Sequence, residues 1–96
     1  MLFYIEYGCS KGHEALIVSA EDNLQAELFA EQCAIEEFES YDNSDLISRD
    51  KYDNDDEYWD VYEDTLANDI HYLVADYDEK NELHKDCFEE FGIYEI

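Results

Sequence analysis

A small α+β domain is what this sequence predicts, with a mostly antiparallel sheet covered by helices in the order β-β-α-α-β-α-β. Three observations carry the prediction. Two short apolar segments at the start flank a glycine-bearing loop, an alanine-rich run with a helix-start signal follows them, and a later segment repeats its rings at helical spacing. The 96 residues are the size of one domain, residues 1–96, with an expected radius of gyration of about 12 to 13 Å. Hydrophobic residues make up 46% and aromatics 16%, which separates the chain from acidic disordered sequences, poor in rings.

Residues 2–8 (LFYIEYG) and 14–20 (EALIVSA) read as two strands joined through CSKGH, where Gly8 and Gly12 suit a turn. Ser19 followed by Asp22 marks a helix start, and the alanine-rich run continues as a helix to about Tyr41. Wound at 3.6 residues per turn, it gathers Ala26, Phe29, Ala30, Cys33, Ala34 and Tyr41 on one broad face, suited to close packing on the hairpin. Leu24, Leu28 and Ile35 fall nearly opposite. Either that second stripe is covered within one chain, or it is an apolar patch through which two chains form a homodimer.

Residues 42–55, with Asn43, Ser44, Asn54 and five aspartates, read as a loop with one short turn around Leu46 and Ile47. From Asp56 a second helix begins: Trp59, Tyr62, Leu66 and Ile70 recur at i, i+3, i+7 and i+11 and are expected to be buried. Asp53, Asp56, Glu57, Asp60, Glu63 and Asp64 share the other side of that wheel. HYLVADY (71–77) reads as a strand, residues 81–91 as a short helix stopped by Gly92, and IYEI as a last short strand. No proline, repeat or low-complexity tract marks an interdomain linker.

The 28 Asp and Glu against 5 Lys and Arg leave a formal charge of -23. So many like charges in a small volume destabilise the compact state, repel nucleic acid and anionic membranes, and attract a basic protein. The first residues carry Glu6 and lack a basic segment followed by an apolar run, so a soluble, intracellular protein without a membrane partner is expected. Cys9, Cys33 and Cys87 are an odd set without framework spacing and read as reduced thiols.

Residues 50–64 (DKYDNDDEYWDVYED) hold eight carboxylates together with three tyrosines and the only tryptophan. Acids one helical turn apart have Cβ atoms about 5 to 6 Å from each other, a row of fixed negative points like the phosphates of duplex DNA. One reading of such a face is solvation alone. The other is occupation of a DNA-binding groove, with the carboxylates taking Lys and Arg contacts that would hold phosphates. The residues placed at that contact are Asp53, Asp55, Asp56, Glu57, Asp60, Glu63 and Asp64, together with Glu36, Glu37 and Glu39 at the end of the first helix.

Runs such as YDNDDEYWD and VYEDTLAND, in a short chain with a large acidic excess and many tyrosines, resemble the phage-encoded DNA mimics that disarm bacterial defence, among them anti-restriction and anti-CRISPR proteins. The likeness covers the composition of the whole chain and rests on no residue-by-residue motif. It implies a noncatalytic inhibitor in the cytoplasm of an infected bacterium, needing no cofactor. The implied partner is a basic DNA-binding protein such as a CRISPR effector or a restriction enzyme. The alternatives are an acidic module that binds a basic host protein without competing with DNA, or a small zinc-stabilised domain.

Other chemistry has less support. An EF-hand loop counted from Asp53 would put Tyr58 where glycine belongs and Asp64 at the last ligand. Cys9, His13, His84 and Cys87 would form a zinc site only if the hairpin loop met the last helix, and neither pair has C-x2-C spacing; Cys87 is otherwise expected to be buried beside Phe88 and Phe91. No Gly-rich phosphate loop, nucleophile elbow or Cys/His signature supports an enzyme, and His71 reads as a strand residue rather than a base.

Overall fold

Antiparallel pairing of β1 (Leu2–Cys9) with β2 (Gly12–Ser19) runs from Leu2 opposite Ser19 to Cys9 opposite Gly12, leaving a two-residue turn at Ser10 and Lys11. The strands therefore reach further into CSKGH than alternation alone shows. In the computed structural model, which describes all 96 residues, Gly8 is required by contact: a Cβ there would strike the Gly12 carbonyl. A side chain at Gly12 would strike the Tyr41 hydroxyl, because the end of the first helix lies over the turn.

The first helix, α1 (Asn23–Glu39), is capped by Asp22, whose carboxylate accepts from the Gln25 amide at 2.8 Å; Ser19 ends the strand instead. A 3-10 turn (Arg49–Lys51) precedes α2 (Asp55–Asp69), where Asn54 accepts from the Glu57 amide and three acids in the first turn suit the helix dipole. Strand β3 (His71–Asp76) leads to α3 (Glu82–Phe91), which Asn81 caps and Gly92 ends at φ 74°, before β4 (Ile93–Glu95).

Sheet order is β3-β1-β2-β4. β3 is antiparallel to β1, whereas β4 is parallel to β2, so the sheet is mostly but not purely antiparallel. The parallel pair follows from connectivity: a helix returns the chain to the end where the preceding strand began, so β3 and β4 run the same way on opposite edges. Both ends of the chain meet at one corner, where the Met1 nitrogen donates to the Ala20 carbonyl and the Ile96 amide to the Ser19 carbonyl.

The register gives each sheet face a helix. Phe3, Ile5, Val18 and Ala20 pack with Ala26 and Ala30 of α1, whose small side chains admit the helix closely. On the other face Tyr4 and Ile17 pack with Cys87 of α3. Cys87 is buried as expected, but Phe88 and Phe91 are exposed. Leu24 and Leu28, 63% and 60% exposed, are not covered within the chain, and Ile35 is half-buried.

No residue of α2 is fully buried. With the loop before it, α2 forms an extension at the hairpin-turn end, and the Cα atoms span 52 × 23 × 17 Å with a radius of gyration of 15.9 Å. That exceeds the compact expectation of about 12 to 13 Å, because α2 leans on the body rather than entering its core, although Ile47 of the loop before it is buried.

Candidate partner-binding surface

The inward side of α2 carries Tyr58, Val61, Tyr62, Thr65, Leu66 and Asp69, all partly buried. This stripe is turned by roughly a fifth of a turn from the one that the spacing of Trp59, Tyr62, Leu66 and Ile70 suggests, and Trp59 is 53% exposed. The burial expected of Trp59 is thus corrected. The cause is the docking point: Tyr62 reaches Phe38 at the end of α1, ring centroids 5.8 Å apart, and Asp69 accepts from the amide and hydroxyl of Ser10 in the hairpin turn. With Tyr62 and Asp69 facing the body, Trp59 sits at the border of the acidic side.

Trp59 contacts Tyr58 and Tyr62, both at 5.2 Å between centroids, and Tyr58 in turn meets Tyr52 at 6.0 Å. The Arg49 guanidinium carbon lies 5.5 Å from the Tyr58 ring centre, while its nitrogens donate to the Tyr52 carbonyl and pair with Asp55. A cleft of about 380 Å³ opens between this cluster and the end of α1, bordered by Glu39, Tyr41 and Asn43. Asn43 donates to the Phe38 and Tyr41 carbonyls, closing the end of α1, while its Oδ1 is buried without a partner.

Asp56, Glu57, Asp60, Glu63 and Asp64 are all exposed on α2, and Glu36 and Glu39 on the last turns of α1. Glu39 borders the same cleft as Tyr58 and Tyr62, so the two acidic groups are neighbours; burial first and then Glu39 raise the Tyr62 hydroxyl above its ordinary pKa. Three of the residues assigned from sequence differ. Asp53 precedes the Asn54 cap and lies off the helix, Asp55 is paired with Arg49, and Glu37 is half-buried over the hairpin turn. Only Asp45, with Lys11, and Asp55 have a Lys or Arg partner within 4.0 Å. Lys11 holds the Asp45 carboxyl below the ordinary range, and hydrogen bonds from Ser44 do the same for Asp42.

The proposed zinc ligands do not meet. Cys9 faces the α1 side of the sheet, whereas His13, opposite Gly8, faces the other; His84 and Cys87 sit on α3, with His84 accepting from the Asp78 amide and lying 4.2 Å from the Tyr4 ring. Sequence reading did not find a second polar group, formed where His13 and His71 both lie opposite Gly8 on the central strand. Their facing nitrogens are 2.9 Å apart, their ring centroids 5.1 Å and their planes within 18°, so the rings lie edge to edge and share a hydrogen bond. Glu6, 3.9 Å from His13, also accepts from the Tyr4 hydroxyl. Only the pairing register, fixed by the two-residue turn, would have revealed this group.

Burial pushes the Cys33 thiol up to about 11, helped by Glu36, and raises Cys87 as well. These two thiols are therefore poor nucleophiles, and the chemistry most extensively presented is fixed negative charge beside the exposed Trp59. No family model matches the chain, and neither a curated protein nor a solved structure shows significant similarity to it.

Proposed function

We propose that the protein is a noncatalytic inhibitor that imitates duplex DNA and occupies the DNA-binding site of a bacterial defence nuclease complex, of the CRISPR or restriction kind. The observation that carries this reading is charge per unit length. A net -23 is distributed over a molecule 52 Å long and only 23 by 17 Å across, one charge per about 2.3 Å of its long axis. Duplex DNA carries one per about 1.7 Å. A basic groove shaped for phosphates would meet a comparable field here, with most acids unpaired and already facing outward. The site of action in this reading is the cytoplasm of the infected cell; no helix of the chain is long and apolar enough to cross a membrane.

A second reading draws on the exposed Leu24, Leu28 and Trp59, apolar surface with no counterpart in a phosphate backbone. In it the chain is an acidic adaptor whose basic partner is held without competition from DNA. One experiment separates them. Immobilised protein, exposed to lysate from a bacterium carrying CRISPR and restriction systems, is expected to retain a DNA-binding complex that excess duplex releases. Retention of the partner in the presence of duplex would overturn the mimicry and leave the adaptor.

A further inference from the structure

We infer that Trp59 is the anchor of this surface, a platform on which an arginine of the basic partner lays its guanidinium while neighbouring carboxylates take its N–H groups. The inference rests on the reading that the partner presents a basic groove, and it names the contact within it. Trp59 is 53% exposed, yet Tyr58 and Tyr62 touch it at interplanar angles of 69° and 75°, so the indole is buttressed from the body side and open toward solvent. Asp56 stands three residues before it and Glu63 four after, both exposed and each one helical turn away on the same side. Within the chain the adjoining ring already takes a guanidinium: Arg49 sits over Tyr58 and pairs with Asp55. Trp59 with Asp56 repeats that arrangement, the carboxylate again three residues before the ring, on the outward side of the helix with Glu63.

The chemistry selects arginine over lysine. A planar, weakly hydrated guanidinium stacks on an aromatic face and still forks its donors to carboxylates, whereas an ammonium is a hydrated point charge. A second copy of this chain is disfavoured as occupant, since each carries -23.

The single tryptophan makes the contact directly readable. Acrylamide quenching of its fluorescence is measured with a deca-arginine and a deca-lysine peptide, each saturating, at physiological salt. Deca-arginine is expected to shield Trp59 from the quencher about twofold or more, and deca-lysine to leave it accessible. Trp59→Ala is expected to weaken deca-arginine binding about three- to tenfold and deca-lysine binding less than twofold, with Trp59→Phe between. Equal losses for both peptides, or an indole equally quenched with and without deca-arginine, would overturn the anchor. So would shielding that appears on raising protein concentration alone, which would mean self-association. The quenching comparison on the unmodified protein decides even where the alanine variant fails to fold. Because no DNA-binding target enters, a failed duplex competition and a failed stacking test are separate results.

Discussion

The ring of Tyr62 meets that of Phe38 edge to face, at 5.8 Å and 76°, and this contact ties the acidic helix to a residue with no exposed surface. Tyr62→Ala is therefore expected to loosen α2 without dissolving the sheet. Amide exchange should rise across residues 50–69 while β1 and β2 keep their protection, at a cost of about 1 to 2 kcal/mol for a half-buried ring. Uniform loss of protection through the chain would mean that α2 and the sheet unfold as one unit.

Trp59→Ala should cost less. A fully buried tryptophan would lose about 3 to 5 kcal/mol on truncation, but with about half the ring in water the loss is expected to stay below about 1 kcal/mol. Urea denaturation of the two variants side by side gives the order. A larger loss for Trp59→Ala would place the indole, not Tyr62, at the docking point.

The acids carry binding rather than folding in this proposal. Replacing Asp60, Glu63 and Asp64 together by Asn, Gln and Asn takes the net charge from -23 to -20. The variant should keep its circular dichroism and melt no lower than the parent, yet inhibit its target's DNA binding more weakly and with a shallower salt dependence. In the parent, melting temperature should rise from low to moderate salt, as screening shortens the Debye length to about 8 Å at 0.15 M. Full potency in the folded triple variant would move the contact to other acids.

The exposed pair Leu24 and Leu28 gives a test of self-association. If two chains pair through this stripe, added salt should strengthen the dimer by screening charge, and Leu28→Glu should leave a folded monomer in sedimentation. A parent that sediments as a monomer at high concentration in both low and moderate salt would remove the stripe as a dimer contact.

Alkaline pH is expected to destabilise the fold through groups on the α1 face. Burial raises the Tyr7 hydroxyl from its ordinary 10.0 to about 12 and the Cys33 thiol from 9.0 to about 11, and it raises Tyr4 on the opposite face further. The unfolded chain releases these protons first, so their contribution is complete below about pH 9 and declines as pH passes through about 11 to 12. Denaturation midpoints at pH 8 and pH 11.5 measure the loss. Cys33 in the folded protein should correspondingly alkylate slowly at pH 8.

Order and type of the elements were legible because their signals are local: alternation for the hairpin, alanines for α1, Gly92 as a stop. The inward face of α2 was not. Tyr58, Trp59, Val61, Tyr62, Leu66 and Ile70 spread over about half its circumference, so periodicity leaves the centre of the stripe undetermined until Phe38 and Ser10 fix it. The elongated shape was hidden for a related reason, since size scaling assumes every element joins one core. The surface acids were legible as a group, and the exceptions at Asp53, Asp55 and Glu37 depend on a cap, an ion pair and a close approach. The separation of Cys9 from His13 follows from strand parity, a consequence of a register that composition does not contain.

Met1 and Ile96 are fastened to neighbouring carbonyls, Ala20 and Ser19, whereas α2 is tied to the opposite end of the sheet at Ser10. The molecule thus has a handle and a tip. A fusion or surface attachment at either terminus leaves from the same corner and holds the acidic helix outward, so affinity tags should not mask it. A short linker joining residue 96 to residue 1 would make the chain circular without crossing that helix.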